Sequence, residues 1–224
     1  KYVNLFVFVF MIGACLSQGR AQTKSAVSYK NPVVDIAMPD PTVIKAADGY
    51  FYVYATESTR NVPIMKSKDL VEWTYCNTAF TNKTRPRFEP KAGIWAPDIN
   101  YINGKYVLYY AMSVWGGEQT CGIGVATANS PQGPFTDHGK MFRSNEIGVQ
   151  NSIDPSLLQY EGRNYLVWGS FRGIYVIELT ADGLSIMSGA KKKRIAGTAF
   201  EAVYIHKHGD YYYMFASIGS CCQG

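Results

Sequence analysis

Short apolar runs separated by turn residues make up most of the chain, and four of them follow one pattern. In each, a short apolar run leads into a glycine turn and then into an aromatic-rich run. The aromatic-rich runs are FYVYA, YVLYYA, YLVWGS and YYYMFAS. Such pairs of runs predict β-hairpins, and strands apolar on both faces are expected to be buried on both. No stretch of a dozen residues keeps a helical apolar stripe free of Gly or Pro, so the sequence predicts an all-β fold.

The hairpins belong to a longer repeat. The first three are each followed by a strand, a turn and another strand, at residues 62–75, 121–139 and 172–189. A recurrence of about fifty residues built only from strands is typical of a β-propeller, with one blade to each unit. The fourth unit stops after its second strand. We therefore expect a C-terminally truncated chain that carries about three and a half blades.

An acidic residue precedes each hairpin: Asp40, Asp98, Asp154 and Glu201. The innermost strands of a propeller converge on one axis, so acids at equivalent positions are expected to meet at one pocket. Carboxylates there suit either calcium binding or general acid–base chemistry on a glycosidic bond. The absence of a D-x-D-x-D-G loop favours the second. Taken singly, Asp-Pro pairs are also ordinary turn residues.

The termini and the charge bound the class of protein. Residues 1–22 have a basic start and an apolar run too short to span a bilayer, which predicts a signal peptide, with Cys15 as an alternative lipoprotein site. Residues 23–224 are then the catalytic domain, exported to the periplasm, to the medium or to the cell surface on a lipid anchor.

A net charge of +5 is too mild to indicate binding to nucleic acid, and the basic run at 191–194 is interpreted as a solvated loop. No protein partner is indicated.

At this point the motifs resemble the family 43 glycoside hydrolases, and most of all the endo-1,5-α-L-arabinanases. The resemblance rests on PDP with GYFY, SKDLVEW, WAPD, SPQGPF, NSIDP and FEA, and on GSFRGI and CCQG, which are similar to the family's GSFW-x-GI and CCRG. It implies a five-bladed β-propeller that hydrolyses arabinan or xylan linkages with inversion. The expected substrate is a polysaccharide or oligosaccharide, either arabinan or arabinoxylan.

The resemblance also implies roles for single residues. Asp40 matches the general base, Glu201 the general acid, and Asp154 the third acid, which orients the general acid and keeps its pKa raised. The matching substrate-binding residues are Trp95, Asp98, Trp115, Asn151, Ser170 and Phe171.

The chain departs from the arabinanase pattern in two ways. Pro39 stands where a histidine usually precedes the base. No cofactor is needed for the chemistry, but the family implies a calcium ion at the propeller centre, whose histidine ligand would lie beyond Gly224. His138, His206 and His208 match no ligand position and are expected at the surface.

Two alternatives stay open from the sequence. One is an exo-acting α-L-arabinofuranosidase or β-xylosidase of the same family. The other is a sugar-binding propeller without catalysis.

Overall fold

The structure is a computed structural model, and it describes residues 28–220 as a series of short strands with one turn of helix. The predicted signal peptide and the pair Cys221–Cys222 lie outside the described residues. The elements are β1 Thr42–Lys45, β2 Phe51–Tyr54, β3 Pro63–Ser67, β4 Trp73–Thr78, β5 Gly93–Ile102, β6 Lys105–Ser113, β7 Gly122–Ala128, β8 Thr136–Arg143, α1 Ser144–Ile147, β9 Ser156–Tyr160, β10 Arg163–Trp168, β11 Ile174–Glu178, β12 Lys193–Ala196, β13 Phe200–His208 and β14 Tyr211–Ile218.

The strands form four antiparallel sheets in which neighbours in sequence are neighbours in space. Three sheets have four strands each, in the orders β1-β2-β3-β4, β5-β6-β7-β8 and β12-β11-β10-β9, and β13 pairs with β14 alone. The predicted hairpins and the four-strand repeat are confirmed, except that the last strand of the third sheet is β12 at Lys193–Ala196 and not within residues 172–189. No helix among residues 28–220 is long and apolar enough to cross a membrane.

The core lies between neighbouring sheets. Tyr54, Phe80 and Tyr110 pack together between the first two sheets, and Trp168 packs with Tyr109 between the second and third. Each of these side chains is at most 1% exposed. Burial of one large apolar side chain contributes about 1.5–3 kcal/mol, so these layers supply much of the stability of the fold.

The first strands of the four sheets run side by side. β1 contacts β5, β5 contacts β9, and β9 contacts β13. This is the arrangement expected for the innermost strands of the repeat, and it brings the segments that precede them to one face.

Two expectations about individual strands are wrong. The aromatic strand β14 was expected to be buried on both faces, but all eight of its residues are exposed. Its pairing with β13 is its only strand pairing among the described residues, and its Tyr212 ring makes an edge contact with Tyr160 of β9. The other three aromatic strands are mostly buried, as predicted.

The basic run at 191–194 is not a loop throughout. Lys193 and Arg194 begin β12, which pairs with β11 as the last strand of the third sheet. Its side chains are largely exposed, so the predicted solvation is confirmed while the predicted turn is wrong. A charged strand at a sheet edge is stable because one side of its backbone is paired and its side chains stay in water.

Candidate active site

The candidate acids lie at or just before the starts of the first strands, in unusual backbone conformations. Asp40 and Asp154 have φ values of 49° and 57°, and each is followed by a proline. Glu201 is followed by Ala202, whose φ is 51°. The left-handed region is unfavourable for most L-residues but less so for Asp and Asn. These backbone turns redirect the chain as it enters each strand and set the direction of the acidic side chains.

The four acids that precede the hairpins are not at equivalent positions. In the second sheet the left-handed residue before a proline is Ala96, with φ 40°, so Ala96 corresponds to Asp40 and Asp154. Asp98 lies two residues further along β5, beyond an irregularity in the pairing between Trp95 and Asp98. The expectation that all four acids share one pocket is therefore wrong for Asp98.

Asp154 connects the other acids electrostatically. Its Oδ2 accepts a hydrogen bond from the Ala202 N–H at 3.2 Å. Burial, and after it the negative charges of Glu201 and Asp40, together raise the pKa of its carboxyl from 3.8 to about 7. A carboxylate acts in this way only on near neighbours. The structure thus brings together three carboxyl groups from three different sheets.

Glu201 and Asp40 are each held by a hydroxyl group. The buried Ser170 hydroxyl donates to Glu201 Oε2 at 3.1 Å, across a bridge between the two backbones. The Thr56 hydroxyl, just after β2, donates to Asp40 Oδ2 at 2.5 Å and accepts from the Ala96 N–H at 2.7 Å. Sequence reasoning missed Thr56; its place just after the second strand of a repeat, like that of Ser170, is the signal that points to it.

Asp98 is buried, with 8% of its surface exposed. Its Oδ2 accepts from the Leu157 N–H at 2.8 Å and from Asn100 Nδ2 at 2.7 Å, and its Oδ1 accepts from the Thr42 hydroxyl at 3.4 Å. Burial raises its pKa to about 6, against the lowering effect of these hydrogen bonds. The structure places this carboxylate between strands.

Two tryptophans offer an exposed aromatic surface near the acids. The rings of Trp95 and Trp115 lie 5.4 Å apart, tilted by 51°, and Trp115 is 80% exposed. Trp95 immediately precedes Ala96, the residue that Thr56 links to Asp40. Flat apolar faces of this kind stack well on sugar rings.

The remaining predicted binding residues lie on segments beside Glu201: Asn151 between α1 and β9, and Ser170 and Phe171 between β10 and β11. Asn151 Nδ2 donates to the Ser170 carbonyl at 3.1 Å, and the Asn151 N–H donates to the Glu118 carbonyl at 2.7 Å. The Phe171 N–H donates to the Phe200 carbonyl at 2.9 Å, next to Glu201. These backbone and side-chain links bring two loops to one edge of the site. They are the loop at 114–121, which carries Trp115, and the loop at 169–173, which carries Ser170.

An ion pair that the sequence did not indicate joins the same two loops. The Arg172 guanidinium forks onto both carboxylate oxygens of Glu118, at 2.8 and 3.0 Å, and Gln150 donates to Glu118 as well. A bidentate guanidinium–carboxylate pair fixes direction as well as distance. It therefore restrains the loop that carries Ser170, the partner of Glu201.

The three histidines are all exposed, as predicted. Across residues 28–220, no group of three or more His, Cys, Asp or Glu side chains is placed to hold a metal ion. The described residues do hold a set of three carboxyl groups, one with a pKa near neutrality, beside an aromatic surface; such a set can donate and accept protons at a neutral substrate.

Comparison with known proteins agrees with this geometry. The profile of the glycosyl hydrolases family 43 matches residues 29–224. The extracellular endo-α-(1→5)-L-arabinanase 1 of Bacillus subtilis is 35% identical over 198 residues, which are 83% of this chain and 60% of that protein. The chain thus spans about 60% of the length of such curated relatives.

Solved structures give the same result. The native arabinanase Arb43A of Bacillus subtilis superposes with a TM-score of 0.73 at 32% identity, covering 84% of this chain and 68% of the other. An exo-1,5-α-L-arabinanase from a bovine ruminal metagenomic library superposes with a TM-score of 0.72 at 31% identity, covering 88% and 70%. With a family profile that spans nearly all of its described residues, the chain belongs to the glycosyl hydrolases family 43.

Proposed function

We propose that the protein is a glycosidase that cleaves α-1,5-linked L-arabinan by a single inverting displacement. Asp40 acts as the general base that removes a proton from the attacking water. Glu201 acts as the general acid that protonates the leaving sugar oxygen. Asp154 orients Glu201 and supplies the negative charge beside it. Asp40 and Glu201 then lie about 6.5–9.5 Å apart, which leaves room for the water.

The observation that carries this proposal is the 3.2 Å hydrogen bond from the Ala202 N–H to Asp154, which holds this carboxyl beside Glu201. The charges of Glu201 and Asp40 both raise the pKa of Asp154, as expected for neighbouring carboxylates. Three carboxyl groups from separate sheets are costly to bring together, because like charges repel and burial disfavours ionisation. Structural carboxylates are normally paired with cations, as Glu57 is with Arg85 and Glu89 with Arg143. Among the described residues, no salt bridge involves Asp40, Asp154 or Glu201. Unpaired acids held in this way suit proton transfer.

The substrate class follows from the aromatic surface and from the relatives. Trp95 and Trp115 give a stacking surface for a neutral sugar. The Bacillus subtilis relative is named an endo-α-(1→5)-L-arabinanase, and another similar structure holds arabinohexaose. We therefore propose arabinan and its oligosaccharides as substrates of the whole protein.

The same proposal includes the architecture and the location. In this proposal the four sheets are blades of a five-bladed propeller, and residues 23–224 belong to the catalytic domain. Residues 1–22 direct export, in line with the extracellular name of the Bacillus subtilis relative. A central calcium ion would need ligands outside the described residues, and no catalytic step is assigned to it.

Product analysis tests the proposal. When the protein is incubated with debranched arabinan, the products are expected to form a ladder of oligosaccharides. Proton NMR during the first turnovers is expected to show that the newly formed reducing end has the inverted anomeric configuration. Release of arabinose alone would identify an exo-acting enzyme instead. A retained anomer would overturn the inverting mechanism. Binding of arabino-oligosaccharides without any hydrolysis would identify a sugar-binding protein.

A further inference from the structure

The buried carboxylate of Asp98 is bonded to the first strands of two neighbouring sheets. Its Oδ2 accepts from the backbone N–H of Leu157 in β9 at 2.8 Å, and its Oδ1 accepts from the Thr42 hydroxyl in β1 at 3.4 Å. The Thr42 hydroxyl also accepts from the Ile99 N–H at 3.3 Å. One side chain on β5 thus joins β1, β5 and β9, and Asn100 completes its shell at 2.7 Å.

The two strands that Asp98 joins carry two of the candidate acids at their starts. Thr42 follows Asp40 by two residues, and Leu157 follows Asp154 by three. β1 and β9 have only four and five residues, so each acid is held mainly by the few bonds near the strand start. Both acids already hold left-handed backbone conformations, which need support from their surroundings to persist.

We propose that Asp98 is a positioning residue that sets the spacing between the strand starts carrying Asp40 and Asp154. It does this from inside the fold, without touching the sugar. Its oxygens already have three donors, and 8% of its surface is exposed. This role replaces the expectation that Asp98 lines the sugar site. Its catalytic consequence rests on the proposed function.

The test compares three variants of the full chain. In Asp98→Asn, an NH2 group replaces one acceptor oxygen: at the Oδ2 position it opposes both the Leu157 N–H and the Asn100 amide, and at the Oδ1 position it opposes the Thr42 hydroxyl. In Thr42→Val, the hydroxyl that reaches Asp98 and Ile99 is lost with little change of shape. The matched control is Tyr54→Phe, which removes a buried hydrogen bond between the first and second sheets, from the tyrosine hydroxyl to the Pro131 carbonyl.

The kinetic result separates positioning from binding and from stability. Displacement of a reacting group by about 1 Å can lower the rate by about a hundredfold, so Asp98→Asn is expected to lower kcat by at least about tenfold with KM nearly unchanged. Thr42→Val is expected to lower kcat less than Asp98→Asn does. The double variant is expected to lower kcat no more than Asp98→Asn alone, because both substitutions remove the same hydrogen bond between Thr42 and Asp98. Tyr54→Phe is expected to lower the melting temperature and leave kcat and KM unchanged. A large rise in KM for Asp98→Asn, or an unchanged kcat, would overturn the proposal.

Hydrogen exchange gives a readout that does not depend on activity. The exchange of backbone amides is measured by mass spectrometry, with each variant held the same number of degrees below its own melting temperature. Amides in residues 40–45 and 154–160 are expected to exchange faster in Asp98→Asn than in Tyr54→Phe. Equal exchange in both variants would refute the link. If the unmodified protein hydrolyses no arabinan, the proposed function fails, and the exchange result still decides the role of Asp98.

Discussion

Asp154→Asn is expected to stabilise the protein while removing its activity, and the gain is expected to depend on pH. The change keeps the size of the side chain and its acceptor for the Ala202 N–H. Asn also accepts the left-handed backbone conformation of this position, where φ is 57°. What it removes is an ionisable group next to Glu201 and Asp40.

The magnitude follows from the raised pKa. Burial and the two neighbouring charges raise the pKa of Asp154 from 3.8 to about 7. Between these values the folded chain holds a proton that the unfolded chain has lost, so stability falls as the pH rises through this window. At about 1.4 kcal/mol for each pKa unit, ionisation lowers the free energy of unfolding by about 4 kcal/mol at pH 8 and by about 2 kcal/mol at pH 5.

The assay is thermal unfolding of both proteins at pH 5 and pH 8. The variant is expected to gain roughly 2–3 kcal/mol more at pH 8 than at pH 5, or roughly 5–10 °C in Tm for a chain of this size. Asp210→Asn, at an exposed position, is the control and is expected to show no such difference. An equal shift of Tm at both pH values, or destabilisation at pH 8, would refute the electrostatic coupling of the three acids.

Three further predictions concern activity and packing. Glu201→Gln is expected to lower kcat on arabinan by about 10²–10⁴-fold, and far less on aryl arabinosides whose leaving group needs no proton. Arg85→Met, which leaves the buried carboxylate of Glu57 without its cation, is expected to lower the free energy of unfolding by about 3–5 kcal/mol in urea titrations. Gly124→Ala places a Cβ 2.4 Å from the ring of Tyr110 and is expected to cost about 1–3 kcal/mol by overpacking.

Each of these predictions has its own control. Equal loss of activity on arabinan and on activated aryl substrates would contradict the acid role of Glu201. Lys140→Met breaks the exposed pair with Glu146 and is expected to leave the free energy of unfolding nearly unchanged, so a loss as large as that of Arg85→Met would contradict the argument from burial. Gly197→Ala adds a Cβ with no atom within 4 Å and without a left-handed φ, so an equal loss of stability there would contradict the argument from crowding at Gly124.

The sequence predicted the hairpins well because apolar runs around a glycine turn are a local signal. An acid before a proline is also a local signal, and it marks Asp40 and Asp154, whereas Glu201 is followed by Ala202. The position of Asp98 was not predictable by counting acids, because the irregularity in β5 shifts it two residues along the strand. The residue before proline was the better marker, since Asp40, Ala96 and Asp154 share both the proline and the left-handed conformation.

Side-chain contacts between residues far apart in the chain could not be predicted, because no local pattern in the sequence marks them. Thr56 reaches Asp40 across 16 residues, and Arg172 reaches Glu118 across 54. The exposure of all eight residues of β14 also depends on what packs against the strand. Its aromatic sequence resembles that of the buried strands, so the composition of the strand does not reveal what covers it.

The left-handed backbone at Asp40 and Asp154 has a consequence for the evolution of the protein. Among residues with a side chain, Asp and Asn enter this conformation with the least strain, and their codons differ by a single base. In a duplicated gene, one transition would therefore replace the proposed general base or the proposed third acid by Asn while keeping the strands, the tryptophans and the loops. If the proposed function holds, such a copy loses hydrolysis through a single nucleotide change and keeps the surface proposed to bind the sugar.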